Sequence, residues 1–284
     1  MIYKKILIIG ADGQLGFDLV RSFGEKATGL THKEIEVKNA ARVEEVIVAH
    51  HPDAVINTAA IVKSEWCELN KDECLAVNAT GAGNVAAAAN KIGAAVIQIS
   101  TDYVFDGSKD SFAENDQPNP LNVYGSSKLE GERAVRKNNS KYYIVRSGWF
   151  FGKNIPHKGL DFPRAMLKLA KEKGEVRVVR DQFGSPTYTR DLAGKIKELL
   201  HRNAPFGVYH ITNQGRTSWY GFAKKTFELA KEKAKFIPIA TAESGSKIQR
   251  PKNSILENRN LSEIGIPLLR PWEEALAEYF QEIS

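Results

Sequence analysis

The 284-residue sequence predicts an α/β protein built on a doubly wound parallel sheet, with a smaller α+β lobe toward its C-terminal end. Three observations carry that expectation. Short apolar runs alternate with helical stretches through the first half, the rhythm of a parallel sheet covered on both faces. The first run, Lys5-Ile6-Leu7-Ile8-Ile9, leads straight into Gly10-Ala11-Asp12-Gly13-Gln14-Leu15-Gly16. A later run, Ala95-Val96-Ile97-Gln98-Ile99, ends in Ser100-Thr101-Asp102-Tyr103. Polar residues at the carboxyl end of such a strand lie where open α/β sheets bind ligands.

Composition limits the function classes. With 42% hydrophobic residues the chain can bury a core as one large domain or two smaller ones. Its formal charge of +6 is mild, and bases alternate with acids along residues 168–180 and 224–235, as on solvated helix faces. No Lys/Arg block marks a nucleic-acid arm, whereas a weak positive field suits anionic small molecules. Cys67 and Cys74 make no disulfide framework and read as reduced packing residues. No apolar run reaches membrane-spanning length, and residues 6–9 are too short for a signal peptide, so a cytoplasmic protein is expected. No His, Cys, Asp and Glu cluster has metal-ligand spacing.

The glycine segment reads Gly-x-x-Gly-x-x-Gly between a buried strand and a helix over Gln14–Phe23. It is a spacing variant of the dinucleotide fingerprint: a tight turn, a backbone open to pyrophosphate, and a helix N-terminus aimed at the anion. Gly10, Gly13 and Gly16 are therefore expected against a dinucleotide, in a Rossmann-like domain. Ala27–Leu30 reads as the second strand. An NAD site often has an acid there, about 20 residues after the glycines, for the ribose hydroxyl. Here Thr31-His32-Lys33 stands before Glu34, and a hydroxyl, an imidazole and an ammonium suit a 2′-phosphate. NADP is the expected cofactor, with NAD the alternative. Glu36-Val37 is placed to border the adenine.

Residues 41–50 read as a helix and 53–57 as a third strand ending in Thr58-Ala59-Ala60, whose small side chains let a cofactor lie close. Residues 72–89 read as one long Ala-rich helix carrying Asn78, an amide that faces solvent or bridges toward the third or fourth strand. After the fourth strand comes Tyr124-Gly125-Ser126-Ser127-Lys128, opening a helix with Asn122 as its N-cap, then a fifth strand at 142–146. One turn apart, Tyr124 and Lys128 share a helix face. The ammonium is expected to lower the phenol's pKa toward the operating pH. Thr101 adds a neutral hydroxyl able to hold a substrate oxygen.

Beyond Trp149 the rhythm loosens. A loop at 153–159 precedes a helix over Phe162–Lys173 and a strand at 176–179. Asp181-Gln182-Phe183-Gly184-Ser185-Pro186-Thr187-Tyr188 could wall a pocket. A helix at 191–200, a strand at 208–211 and a helix at 219–233 follow, then a loop holding Arg250 and a last helix, Trp272–Ile283. The expected division is a dinucleotide-binding domain at 1–150 and a mainly substrate-binding lobe at 151–284. Segments at about 176–212 are candidates to return to the first domain.

Together, the glycine segment, Ser100-Thr101-Asp102-Tyr103-Val104-Phe105-Asp106-Gly107 and Tyr124-Gly125-Ser126-Ser127-Lys128 resemble the extended short-chain dehydrogenase/reductases. Within them the chain is similar to the dTDP-4-dehydrorhamnose reductases. The likeness continues through Val145-Arg146-Ser147-Gly148-Trp149, the segment from Asp181 to Thr187, and Arg250-Pro251-Lys252-Asn253-Ser254, so it covers nearly the whole chain. The resemblance implies that Thr101, Tyr124 and Lys128 are catalytic. It implies cofactor contacts from Gln14, Leu15, Glu36, Val37, Ala59, Ala60 and Ile61, and sugar-nucleotide contacts from Thr101, Asp102 and Trp149, with Arg250 in the pocket wall.

The implied reaction reduces the 4-keto group of a dTDP-linked 6-deoxy-sugar to give dTDP-L-rhamnose or a close relative. Hydride reaches C4, Tyr124 supplies the proton, and Lys128 holds the nicotinamide ribose. The family has an aromatic-Thr-x-Val-Asp run after the third strand, where residues 61–65 here read Ile-Val-Lys-Ser-Glu, and this bears on the sugar's identity. Two other readings stay open: a nucleotide-sugar epimerase of the same fold, and a non-catalytic NADP-binding regulatory subunit. The expected partner is a nucleotide-sugar, with neither nucleic acid nor membrane, and a homodimer is compatible with each reading.

Overall fold

The structure, a computed structural model, describes residues 3–154 and 159–283. It opens with β1 (Ile6–Ile9), α1 (Gln14–Phe23), β2 (Ala27–Leu30), α2 (Ala40–His50) and β3 (Ala54–Asn57). Next come α3 (Ser64–Leu69), α4 (Lys71–Leu75), α5 (Gly81–Lys91), β4 (Ala95–Thr101), α6 (Val123–Asn138) and β5 (Tyr142–Ser147). The second half holds β6 (Phe150–Phe151), α7 (Phe162–Lys173), β7 (Glu175–Val179), β8 (Phe183–Gly184), β9 (Thr187–Tyr188) and α8 (Thr189–His201). It closes with β10 (Gly207–His210), β11 (Thr217–Ser218), α9 (Trp219–Ala230), β12 (Lys235–Ile239), α10 (Arg259–Glu263) and α11 (Trp272–Ile283).

Six strands form a parallel sheet in the order β10-β5-β4-β3-β1-β2. The chain winds outward from β1 in both directions, so the switch point lies between β1 and β3, where such sheets open a crevice at their carboxyl ends. Alternate strand residues feed opposite cores, as the two-residue period of a strand requires. Ile6 and Ile8 join Leu19, Leu192 and Ile196 on one face. Leu7 and Ile9 join Val43, Ile47, Val85 and Ala89 on the other. Each such aliphatic side chain contributes roughly 1.5–3 kcal/mol when fully buried.

The segments expected to return to the sheet divide. β10 extends it beside β5, and α8 packs on α1. β7 does not join; it pairs with β12, a strand the sequence reading missed. The proline at its fourth position, Pro238, tolerable at an edge, masks the strand pattern of Lys235-Phe236-Ile237-Pro238-Ile239. The second half has aromatic cores of its own, one around Phe151, Tyr188, Phe222, Trp272 and Tyr279.

The long helix expected over residues 72–89 is broken. α4 passes into a π-turn at Ala76–Thr80 before α5, and α3 precedes them where no helix was expected. Asn78 sits in that widened turn with its side chain turned inward. The loop expected at 153–159 lies largely outside the described residues. Among the described residues no helix is long and apolar enough to cross a membrane.

The glycine segment shows why side chains are excluded from it. Gly10 takes φ +85° to turn the chain from β1 into α1. A Cβ on Gly16 would lie 2.0 Å from the Gly10 carbonyl oxygen, a contact with backbone that no rotamer change relieves. Gly16→Ala should therefore cost about 1–3 kcal/mol, as overpacking does. Thermal denaturation is the check, and an unchanged melting temperature would contradict this packing.

Candidate active site

Two backbones in close contact build the site. β4 runs out at Thr101 and turns at once into a single 3₁₀ turn, Asp102–Val104, whose Tyr103 N–H donates to Thr101 Oγ1 at 3.2 Å. α6 starts opposite. Asn122 caps it, its side chain accepting from the Gly125 N–H at 2.9 Å, and Glu68 of α3 accepts from the Val123 N–H at 2.8 Å. A Cβ on Gly125 would lie 2.2 Å from the Tyr103 carbonyl oxygen. Gly125 thus lets the first turn of α6 rest directly on the strand-end turn, which brings Tyr124 into hydrogen-bond contact with Thr101. Lys128, one helical turn on and buried, donates from Nζ to the Ile99 carbonyl at 2.6 Å. Thr101 and Tyr124 therefore meet at the end of β4, and Lys128 anchors to the same strand two residues before Thr101.

Burial dominates the electrostatics here. It pushes the Tyr124 hydroxyl above the usual phenol range, with the hydrogen bond to Thr101 pulling down and the charge of Asp102 pushing up. The expectation that Lys128 lowers this pKa is corrected: the lysine acts on the Ile99 carbonyl and is not among the groups that shift Tyr124. Lys128 itself is drawn down to about 8 by burial, against the pull of Glu132. Buried Asp102 accepts from Thr101 Oγ1 at 3.0 Å. Burial raises its carboxyl to about 6, with Ser254 and Thr101 acting the other way.

The glycine cradle fits a dinucleotide. Gly13 is the N-cap of α1; it offers no side-chain cap, and no acid stands in the first turn, so the helix end presents free N–H groups to an anion. Asn154 ties the cradle down through the Asp12 and Gly13 carbonyls, at 3.0 and 3.3 Å, and Gln14 reaches the Gly152 carbonyl at 3.4 Å. Leu15 and Val37 turn their side chains into the two cores, leaving backbone as what they offer a ligand. Past β2, Glu34 accepts from the Thr31 N–H at 2.7 Å and its hydroxyl at 3.0 Å, while His32 and Lys33 are exposed. His32 lies 3.6 Å from Glu36. Ala59 and Ala60 follow β3, and Ile61 is pinned by Asn78, which accepts from its N–H at 2.8 Å and donates to its carbonyl at 2.9 Å.

Beyond β5, Trp149 (φ +55°) stacks on Trp219 with ring centroids 3.5 Å apart. Arg250 bonds Ser246 and pairs with Glu65 of the divergent segment 61–65. Its charge also acts on Tyr103, whose ring meets Tyr124 edge-on at 5.9 Å. Asn78 takes the bridging alternative expected of it, toward the segment after the third strand, but its bond to Ser127 and the roles of Glu65 and Glu68 were not foreseen. Asn78 also donates to Ser127 Oγ at 2.9 Å, tying the 61 segment to α6. Glu68 and Glu65 had no local signal. Glu132 had one, its i+4 spacing from Lys128.

The chain is similar to known proteins over nearly its whole length. The chain matches the family described as RmlD substrate binding domain over residues 4–284. It is 39% identical to the spore coat polysaccharide biosynthesis protein SpsK of Bacillus subtilis, covering 99% of this chain and 98% of that one. It is 36% identical to a dTDP-4-dehydrorhamnose reductase of Burkholderia thailandensis, covering 93% and 94%. A crystal structure of dTDP-4-dehydrorhamnose reductase from Bacillus anthracis, in complex with NADP, superposes with a TM-score of 0.94 at 38% identity, over 99% of this chain and 100% of that one.

Asp102 gives a pH test of the site. Its folded-state pKa, about 6, lies above the ordinary carboxylate value. Its stabilising contribution is thus fully present below about pH 4 and is lost as pH rises through 6. Asp102→Asn mimics the protonated group, so at pH 7.5 it should be more stable than the parent by on the order of 3 kcal/mol, with the difference vanishing near pH 4. Denaturation curves across this range decide it; a variant no more stable than the parent at pH 7.5 contradicts the assignment.

Proposed function

The chain belongs to the dTDP-4-dehydrorhamnose reductase family, and from that premise we infer that it reduces the 4-keto group of a dTDP-linked 6-deoxy-sugar with NADPH. The observation that carries the reading is the Tyr124 hydroxyl beside that of Thr101 at the carboxyl end of β4, with Lys128, one helical turn on, bonded to the Ile99 carbonyl of the same strand. When bound, NADPH supplies the hydride equivalent that the carbonyl carbon must gain.

Tyr124 is the proton donor in this reading. A phenol whose pKa is raised by burial keeps its proton at neutral pH, which the reduction direction requires, and it can release it only as the substrate oxygen gains charge. Thr101, whose single hydroxyl proton goes to Asp102 here, holds the same oxygen when that proton turns to it, where donors act on the transition state rather than on binding. Lys128 holds the cofactor ribose. The free N–H groups of α1 hold the pyrophosphate, with Gly10, Gly13 and Gly16 giving it room, and Thr31, His32 and Lys33 serve the 2′-phosphate. Glu36, Val37, Ala59, Ala60 and Ile61 border the rest of the cofactor.

Asp102, Trp149 and Arg250 face the sugar-nucleotide. The product we favour is dTDP-L-rhamnose, formed in the cytoplasm; residues 61–65, which depart from the family pattern, are where a related sugar would be selected. The first 150 residues with α8 and β10 act as the cofactor domain, and the remainder as the substrate lobe.

Tyr124→Phe removes the proton donor alone. kcat should fall by about 10²–10⁴-fold with NADPH affinity little changed. The assay is NADPH oxidation that depends on dTDP-4-keto-L-rhamnose, with mass spectrometry of the reduced sugar. Near-parental turnover would remove Tyr124 from the reaction, and a parent that reduces no 4-keto nucleotide-sugar would remove the function.

A further inference from the structure

Lys128 is a buried cation that donates to a neutral carbonyl, that of Ile99. One turn further along α6 stands Glu132, 1% exposed, so Tyr124, Lys128 and Glu132 occupy successive turns of one helix face. Glu132 is held from two strands. Its Oε1 accepts from Ser100 Oγ of β4 at 2.6 Å and from Arg146 Nε of β5 at 2.9 Å, and its Oε2 accepts from Arg146 Nη2 at 2.7 Å. Arg136 approaches the same carboxylate at 3.9 Å from the exposed side.

Arg146 is itself fully buried, lies over the Phe105 ring at 5.2 Å, and meets His210 Nε2 at 3.5 Å. Burial and then Arg146 hold His210 well below its usual range, so it is neutral. The other titratable groups near the site are Cys74, which faces Lys128, and Asp102, Tyr103 and Cys67, which face Tyr124. Glu132 is thus ion-paired with Arg146, while Lys128, one turn back on the same helix face, makes no direct ion pair with it and feels its charge across the turn. Arg146 alone would be served by a carboxylate on any neighbouring element. Placing it on the Tyr124–Lys128 face puts its field on the lysine as well, opposing the desolvation that favours the neutral amine.

We propose that Glu132, fixed by Ser100 and Arg146, is a positioning residue that keeps Lys128 protonated and seated on the Ile99 carbonyl over the working pH range. The proposal rests on the reading that Lys128 serves the reduction. With Glu132 neutralised, Lys128 loses a nearby buried negative charge and should shed its proton at lower pH.

The test is the pH profile of kcat/KM for the parent, Glu132→Gln and Glu132→Asp, with dTDP-4-keto-L-rhamnose and NADPH. The alkaline limb should move down by about one pH unit in Glu132→Gln, on the order of tenfold loss where the parent is still active, while Glu132→Asp stays near the parent. Glu132→Gln leaves Arg146 an unpaired buried charge and is at risk of misfolding. The double variant Glu132→Gln with Arg146→Met removes both charges together and should shift the limb the same way by less. A limb that stays in place in a folded variant, with only melting temperature or overall rate lowered, makes Glu132 a structural partner of Arg146 and overturns the proposal. Failure of the parent to oxidise NADPH with this substrate would count against the reductase reading instead. The Glu132 effect would then be read from the pH dependence of NADPH binding by fluorescence, where an unshifted profile overturns it.

Discussion

One backbone contact organises the molecule: the first turn of α6 resting on the strand-end turn that follows β4. No side chain separates the two, because Gly125 faces the Tyr103 carbonyl. Strand β4 is central in the sheet, paired with β3 and β5 along parallel ladders, so its carboxyl end is fixed by cores on both faces. α6 inherits that rigidity through the contact, and the cap from Asn122 and the tie from Glu68 hold its start. Sites built on such elements keep their geometry more closely than sites on loops, and proton transfer demands that closeness.

The same packing sets the chemistry of the side chains it gathers. Tyr124, Lys128 and Asp102 are all moved toward their neutral forms by burial, and the local charges only modulate that shift. A phenol that holds its proton is suited to give it to an alkoxide. An ammonium near pH 8 needs help to stay charged, which draws attention to the carboxylate behind it. The site therefore extends further into the core than the groups that face the crevice, through Ser100, Glu132 and Arg146.

Much of this was legible in the sequence, where local pattern decides structure. The helices Gln14–Phe23, Phe162–Lys173 and Trp272–Ile283 fall where periodicity placed them, as does the Asn122 cap. The glycine turn between β1 and α1 and the polar end of β4 also lie where the sequence put them. Contacts between distant segments were not legible. Arg250 and Glu65, which pair across 185 residues, carry no local signal of each other. The π-turn around Asn78 arises because that amide satisfies both backbone groups of Ile61 and reaches Ser127, which no helical pattern encodes. The pairing of β7 with β12 depends on the second half folding on itself, so the strand at 176–179, a candidate to return to the main sheet, finds its partner elsewhere. The Tyr124 pKa was misjudged because the pattern shows the nearby lysine but not the depth of burial.

The central claim is that backbone contact at Gly125 places the tyrosine beside the threonine. The most direct measurement is turnover of Gly125→Ala, with circular dichroism to establish its fold and fluorescence to measure NADPH affinity. A methyl group there must push the α6 turn off the Tyr103 carbonyl, and misplacement of a reacting group by about 1 Å can cost on the order of 10²-fold in rate. The predicted result is a folded protein that binds NADPH as the parent does and has kcat lowered by about that factor. Parental kcat in a folded Gly125→Ala would contradict the account.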